Sequence, residues 1–388
     1  MKKSLIALAC LASSATSTFA QNSTQVPVEQ PLLTVYGRVD MSVQSVSRGD
    51  AAADAKKTIT GKTSGAIDTS IIGLRLKKTL NNGDYIGGNV ESSVLNGTST
   101  TGITDTGTIT NRVFDRGAYV SYGNDKWGRV DLGYAPNPMI NVSTVPMGGN
   151  SVNVATAYSM NWTEYYTTKS ITYSTPNLSG FRGQIQYGAA DEITSTKTNT
   201  TVATKVTSGG PVVAGIADYS TPVLGLSFAM QHRQAGNGAG TAANPNTPEK
   251  TTYLAAARYS TGDLKLGASL WHNSVKGYDP VAPSSYTVNA WQLGFAYKLA
   301  QDWSAGASFS KNSVGSSMTN SQLHYAFNKA TTLYGQLSHV NNSDPVGRSS
   351  GAYGNFYTVN APNIAGLTPY GVNNGSATAT GLGVIYRF

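Results

Sequence analysis

The feature that most constrains this chain is a rhythm. Short segments alternate apolar and polar residues, and they are joined in turn by tight turns and by long polar stretches. Leu264, Leu266, Ala268 and Leu270 oppose Lys265, Gly267 and Ser269. Trp291, Leu293, Phe295, Tyr297 and Leu299 oppose Gln292, Gly294, Ala296 and Lys298. Trp303, Ala305, Ala307 and Phe309 oppose Ser304, Gly306, Ser308 and Ser310. A period of two puts each set on one face of a strand. Asn81-Asn82-Gly83-Asp84, Gly123-Asn124-Asp125 and Thr261-Gly262-Asp263 read as tight turns. The long connections centre near residues 55, 103, 150, 202, 242, 279, 316 and 358. Eight long connections predict sixteen antiparallel strands. Their regular exchange with short turns predicts one closed sheet, an all-β transmembrane barrel with long extracellular loops. A large β-sandwich is the competing architecture, but it would leave sheet edges to protect.

Composition agrees with the barrel. The chain has 42 Gly and 22 Tyr among 388 residues, only 12% charged residues, and a mean hydropathy of −0.22. No stretch approaches the ~20 consecutive apolar residues of a membrane helix. Alternating strands keep the average low because only one face is apolar.

The start reads as a secretory signal. Met1-Lys2-Lys3 is basic, Leu5 to Ala12 is apolar, and Thr18-Phe19-Ala20 is a small-x-small site. Cleavage after Ala20 takes 20 of the 388 residues and leaves a single domain at 21–388. A lipoprotein site at Ala7-Leu8-Ala9-Cys10 would follow a very short apolar run. Cys10 is the one cysteine, so the mature chain would hold neither a disulfide nor a thiolate metal site. The net charge of +8 includes Lys2 and Lys3. The remaining basic residues are scattered singly over many strands, without the patch that nucleic acid requires. His232, His272, His324 and His339 form no metal-spaced pair, and no G-x-S-x-G elbow occurs. The expectation is therefore no enzyme, no cofactor and no metal.

The last segment, Gly381-Leu382-Gly383-Val384-Ile385-Tyr386-Arg387-Phe388, puts Leu382, Val384, Tyr386 and Phe388 on one face. It resembles the closing strand of bacterial outer-membrane barrels. The resemblance implies that it pairs with the first strand and that Tyr386 and Phe388 signal to the assembly machinery.

Further segments narrow the family. Leu33-Thr34-Val35-Tyr36-Gly37-Arg38-Val39-Asp40 resembles the first strand of the general porins of beta-proteobacterial type. Phe114 to Val120 and Trp127 to Gly133 resemble that family's fourth and fifth strands, and Ile171 to Phe181 its sixth strand and turn. The resemblance implies an outer-membrane homotrimer of sixteen-stranded channels whose third loop folds into the lumen. Its surroundings would be outer-membrane lipids and lipopolysaccharide. There are departures. Ser70-Ile71 stands where the family usually has Ser-Arg, Lys78-Thr79 where an acidic pair follows, and Tyr134 after Gly133 where Arg is common. These put the usual constriction cluster in doubt and leave the fold alone. Gly37 and Gly117, read as small outward residues, would allow close approach between barrels.

By parity the lumen receives Arg38, Arg75, Lys77, Arg116, Arg129, Arg182, Arg233, Arg258, Lys265 and Lys298, against Asp40, Glu91, Asp131 and Asp218. Arg38, Arg75, Lys77, Arg116 and Arg129 are the candidate pore-constriction residues. Parity is least secure at Arg116, beside a possible bulge. The segment from Leu132 to Thr163 contains no Asp, Glu, Lys or Arg, and Met139, Ile140, Val142, Val145 and Met147 lie among Pro136, Pro138, Pro146, Gly148 and Gly149. An excess of fixed positive charge attracts anions. The expected function is passive diffusion of small hydrophilic solutes with anion preference. A substrate-selective pore and a plugged barrel serving as an adhesin are the alternatives.

Overall fold

The computed structural model describes residues 32–48, 56–64, 67–94, 102–103, 109–110, 113–139, 166–189, 191–195, 204–235, 249–276, 285–313, 315–342 and 375–388. The signal segment, and the third long connection beyond residue 139, lie outside the described residues.

The strands are β1 (Leu32–Arg48), β2 (Lys56–Ser64), β3 (Ile71–Thr79), β4 (Tyr85–Ser93), β5 (Gly102–Ile103), β6 (Ile109–Thr110) and β7 (Gly117–Asn124). Then come β8 (Gly128–Pro136), β9 (Tyr166–Ser174), β10 (Phe181–Gly188), β11 (Asp191–Ser195), β12 (Thr204–Gly209), β13 (Val212–Ser220) and β14 (Leu224–Arg233). The last are β15 (Glu249–Thr261), β16 (Leu264–Lys276), β17 (Tyr286–Lys298), β18 (Trp303–Asn312), β19 (Ser317–Ala326), β20 (Thr331–Asn342) and β21 (Gly375–Arg387). β5 with β6, and β11 with β12, form separate hairpins in the second and fourth long connections. The other strands form one antiparallel sheet, closed where β21 pairs with β1, Arg38 opposite Arg387 and Arg48 opposite Ala377. β1 pairs with β3 along its first half and with β2 along its second, so those two share one position in the wall. The barrel thus has sixteen positions. Closure leaves no open edge, which a sheet in lipid requires.

The interior and exterior follow the strand period. On the outside Leu33 is 59% exposed, Leu270 65% and Leu382 71%, while inward Gln186 and Ser310 are fully buried. This inverts the order of a soluble protein and makes an apolar outer band for membrane lipid. Aromatic rings gather on the outer face near the short turns. Tyr122 packs on Trp127, Phe181 on Tyr219, Trp303 on Tyr325 and Tyr386 on Phe388, with centroids 4.5–6.1 Å apart. That is the interfacial girdle the aromatic placement predicts.

Three details depart from the sequence reading. The polar stretch before Ser64 contains a strand, β2, whose backbone is satisfied by antiparallel pairing with the second half of β1. The connection near residue 316 is short, since Asn312 is hydrogen-bonded to Ser316 across a four-residue turn. Gly117 lies opposite Glu91 in the β4–β7 register, on the lumen side and not outward. Gly37 does face outward, but the ring of Phe388 covers it. A Cβ there would come 2.6 Å from Phe388 Cζ and 2.6 Å from the Ile71 carbonyl oxygen. Neither glycine offers a bare surface to a neighbouring barrel.

Candidate functional site in the barrel lumen

The five predicted basic residues fall on one wall, carried by β1, β3, β8 and the entry to β7. Alternation turns Arg38, Arg75, Lys77 and Arg129 inward, because the apolar partners Val35, Leu74, Leu76 and Leu132 take the outer face. Arg116 precedes β7, and its inward placement follows from its bond to Glu91, not from strand parity.

Their electrostatic surroundings divide them. Arg116 Nε sits 2.7 Å from Glu91 Oε1. Arg129 Nε sits 2.9 Å from Asp131 Oδ1, and Asp131 also accepts a 2.6 Å bond from the Ser121 hydroxyl. Arg38 Nη2 sits 2.6 Å from Asp68 Oδ1. Arg75 and Lys77 have aromatic partners. The Arg75 guanidinium lies 5.0 Å from the centroid of the Tyr36 ring, and the Lys77 ammonium 4.5 Å from that of Tyr85. A cation over a ring keeps its full charge, while an ion pair largely cancels it at a distance.

Tyrosine rings pave this wall. Tyr36 lies over Gly73 and Tyr85 over Gly123, each pair directly opposite in register, where any Cβ would collide with the ring. The Tyr36 hydroxyl shares its proton between Asn89 Oδ1 at 2.9 Å and Glu91 Oε2 at 2.8 Å. This anchors the ring beneath Arg75 and ties it to the Arg116–Glu91 pair.

Nearer the short turns, Arg129, Arg182, Arg258, Asp218 and Tyr85 border a recess of about 760 Å³. Arg182 lies opposite Asp218 in register. The Arg258 guanidinium extends over Gly225, 3.4 Å from where a Cβ would stand. On the short-turn rim Asp84 accepts hydrogen bonds from Tyr122, Asn124 and Asn82. The Tyr122 bond, followed by that of Asn124, holds its carboxyl below the usual carboxylate range.

Asp68 is the main residue that the sequence reading missed. It sits in a polar stretch with no period, and nothing local marks it. Asp40, read as one of the acids on the lumen face, is fully buried and engaged in hydrogen bonds. Arg387, opposite Arg38 in the closing register, joins the same face. Among the described residues no group of His, Cys, Asp and Glu could hold a metal ion.

A closed sixteen-position barrel with an apolar belt and a polar, charged interior defines an outer-membrane channel. A family model described as Gram-negative porin matches residues 7–345, and the chain belongs to that family. It is 28% identical over 360 residues to the outer membrane porin protein 32 of Delftia acidovorans, covering 89% of this chain and 91% of the relative. The anion-selective porin from Comamonas acidovorans superposes with a TM-score of 0.70 at 21% identity, over 92% of this chain and all of that one. The outer-membrane channel DcaP of Acinetobacter baumannii gives a TM-score of 0.60 at 12% identity, covering 92% and 97%.

Proposed function

We propose that this porin passes small hydrophilic solutes with a preference for anions. The carrying observation is the division of the lumen charges. Asp68, Glu91 and Asp131 are each occupied by one arginine. Arg75, Lys77, Arg182, Arg258, Lys265 and Lys298 carry no ion pair among the described residues, so the wall keeps a positive field that focuses anions. Arg75 and Lys77 are the strongest constriction candidates. Arg38, Arg116 and Arg129 shape the opening with their charge largely matched. Similarity to the anion-selective porin from Comamonas acidovorans supports the same sign.

Entry of the third connection into the lumen belongs to this proposal. Asn137 and Met139, at its start, are fully buried. Leu254, Trp271, Val275 and Val288 make an apolar inner surface across the lumen that is at most 3% exposed. The apolar, nearly charge-free composition of the third connection suits that surface. The proposal also holds that cleavage after Ala20 yields the mature chain, which assembles as a homotrimer among outer-membrane lipids and lipopolysaccharide. In that scheme the assembly machinery reads Tyr386 and Phe388.

Planar-bilayer recording tests the function. The expected result is a stable conducting pore whose zero-current potential across a KCl gradient has the sign for chloride preference. A potassium-preferring pore would refute the anion reading, and absence of conductance would point to a plugged barrel.

A further inference from the structure

Between Ser64, opposite Met41, and Ile71, opposite Arg38, the second wall position leaves its ladder. The described part of this break, residues 67–70, turns inward and is held from three sides. Asp40 Oδ2 accepts the backbone N–H groups of Ile67 at 3.2 Å and Asp68 at 2.6 Å. Asp40 Oδ1 accepts the Tyr334 hydroxyl at 2.6 Å, a contact spanning 294 positions of sequence. Ile67, fully buried, packs with Tyr334 and Ile385. Ser70 Oγ accepts the backbone N–H of Asp40 at 2.9 Å.

We propose that Asp68 is a built-in counter-charge that limits the anion preference of the pore, with Asp40 and Tyr334 as its positioning residues. The inference rests on the channel reading but not on its sign. Asp68 is 6% exposed at its side chain and Arg38 24%, so the acid stands behind the cation it matches. Arg38 Nε also donates to the Thr69 carbonyl at 2.9 Å. Two directed bonds on one guanidinium fix it in orientation as well as distance. Arg387, opposite Arg38 in the closing register, and Arg116 also act electrostatically on this carboxylate. Asp68 therefore offsets the arginine cluster from inside the wall, where no solute reaches it. Arg38 presents an oriented dipole to the lumen, and the net charge of the pair is close to zero. The break in the second wall position places this acid at mid-wall, where a regular strand would have put another outward–inward pair.

The test compares Asp68→Asn, Arg38→Gln and the double variant in planar bilayers. Zero-current potentials are read across a dilute KCl gradient, and conductance is read in 1 M KCl. At 1 M salt screening reaches only ~3 Å, so conductance there reports width and not charge. Asp68→Asn should raise the chloride-to-potassium permeability ratio about fivefold, because one unit charge at roughly 8 Å in water shifts the two ions about twofold each in opposite directions. Arg38→Gln should lower it by a similar factor, and the double variant should return close to wild type. All three should match wild type in 1 M KCl. Asp68→Glu keeps the charge and should keep the wild-type potential, and Asp68→Ser replaces Asn if that variant does not assemble. Tyr334→Phe removes one anchor and no charge, and should add open-channel noise. An Asp68→Asn potential equal to wild type overturns the proposal. So does a change in 1 M conductance, because width would then have moved the potential. A quiet Tyr334→Phe channel overturns the positioning role. A potassium-preferring wild type would overturn the anion reading while leaving the opposite signs of the two single variants intact.

Discussion

The two sides of this lumen solve the same problem by different chemistry. From β1 to β8 the wall is charged, with Arg38, Arg116 and Arg129 matched by acids and Arg75 and Lys77 lying over tyrosine rings. From β16 to β20 it is almost neutral, apart from Lys265 and Lys298 near the short turns. Ser269, Gln292, Ser308, Asn320 and Gln336 face inward and are buried. Neighbouring polar groups on this side bond sideways, as in the 2.9 Å bond from Ser338 to Asn320 and the 3.0 Å contact between His324 Nε2 and Gln322. A neutral side chain needs only a neighbour for its hydrogen bonds. A charge needs a counter-charge or water, and its field reaches across the pore. The proposed selectivity therefore belongs to one side, while the other supplies a wettable surface with little electrostatic bias.

The largest expected effect comes from breaking the junction of the two sides. Phe388 N and O exchange 3.1 and 3.0 Å bonds with Gly37, and its ring lies over that glycine. Phe388→Ser should leave most of the synthesised protein unassembled, and Gly37→Val should do the same by displacing the ring. Heat-modifiable mobility of outer-membrane extracts reads both. Next is the charged side. Arg75→Gln with Lys77→Gln should lower the chloride-to-potassium permeability ratio by more than about tenfold in dilute KCl, since two unit charges at roughly 8 Å each act on chloride and potassium in opposite directions. No shift would place selectivity elsewhere. Thr332→Lys adds a charge to the neutral side, on the lumen face of β20, and should raise the ratio by about twofold or less. A larger rise would mean that ions pass close to that side.

The smallest effect is acid sensitivity at the rim. Asp84 has a depressed folded-state pKa, so its contribution to stability is present above its unfolded value. That contribution is lost as pH falls through the lower folded value. Unfolding midpoints in urea should fall in that acidic window for wild type, and fall less for Asp84→Asn.

Much of the fold was legible because a period of two survives averaging. Lys265, Lys298 and Arg129 all stand on the predicted face. Leu382 to Phe388 pairs with β1, as the resemblance of that segment implied. The inward placement of the candidate residues was legible, and their pairing was not. Parity turns Arg38 inward but is silent on Asp68, which meets it only because the second wall position breaks and folds back. Arg116 also turns inward, but through its bond to Glu91 and not through strand alternation. Gly117 failed because the irregular entry to β7 shifts the phase by one residue, and one residue exchanges the two faces.

One feature of the wall bears on how such a chain can change over generations. Tyr36 with Gly73, Tyr85 with Gly123, Tyr334 with Gly383 and Phe388 with Gly37 are each a ring laid across a glycine on the adjacent strand. A side chain gained at the glycine strikes the ring, and a ring lost opposite leaves bare backbone. Descendants should accordingly alter the two members together, with the ring and the gap exchanging sides or vanishing as a unit. Single replacements at either member should be culled before they spread.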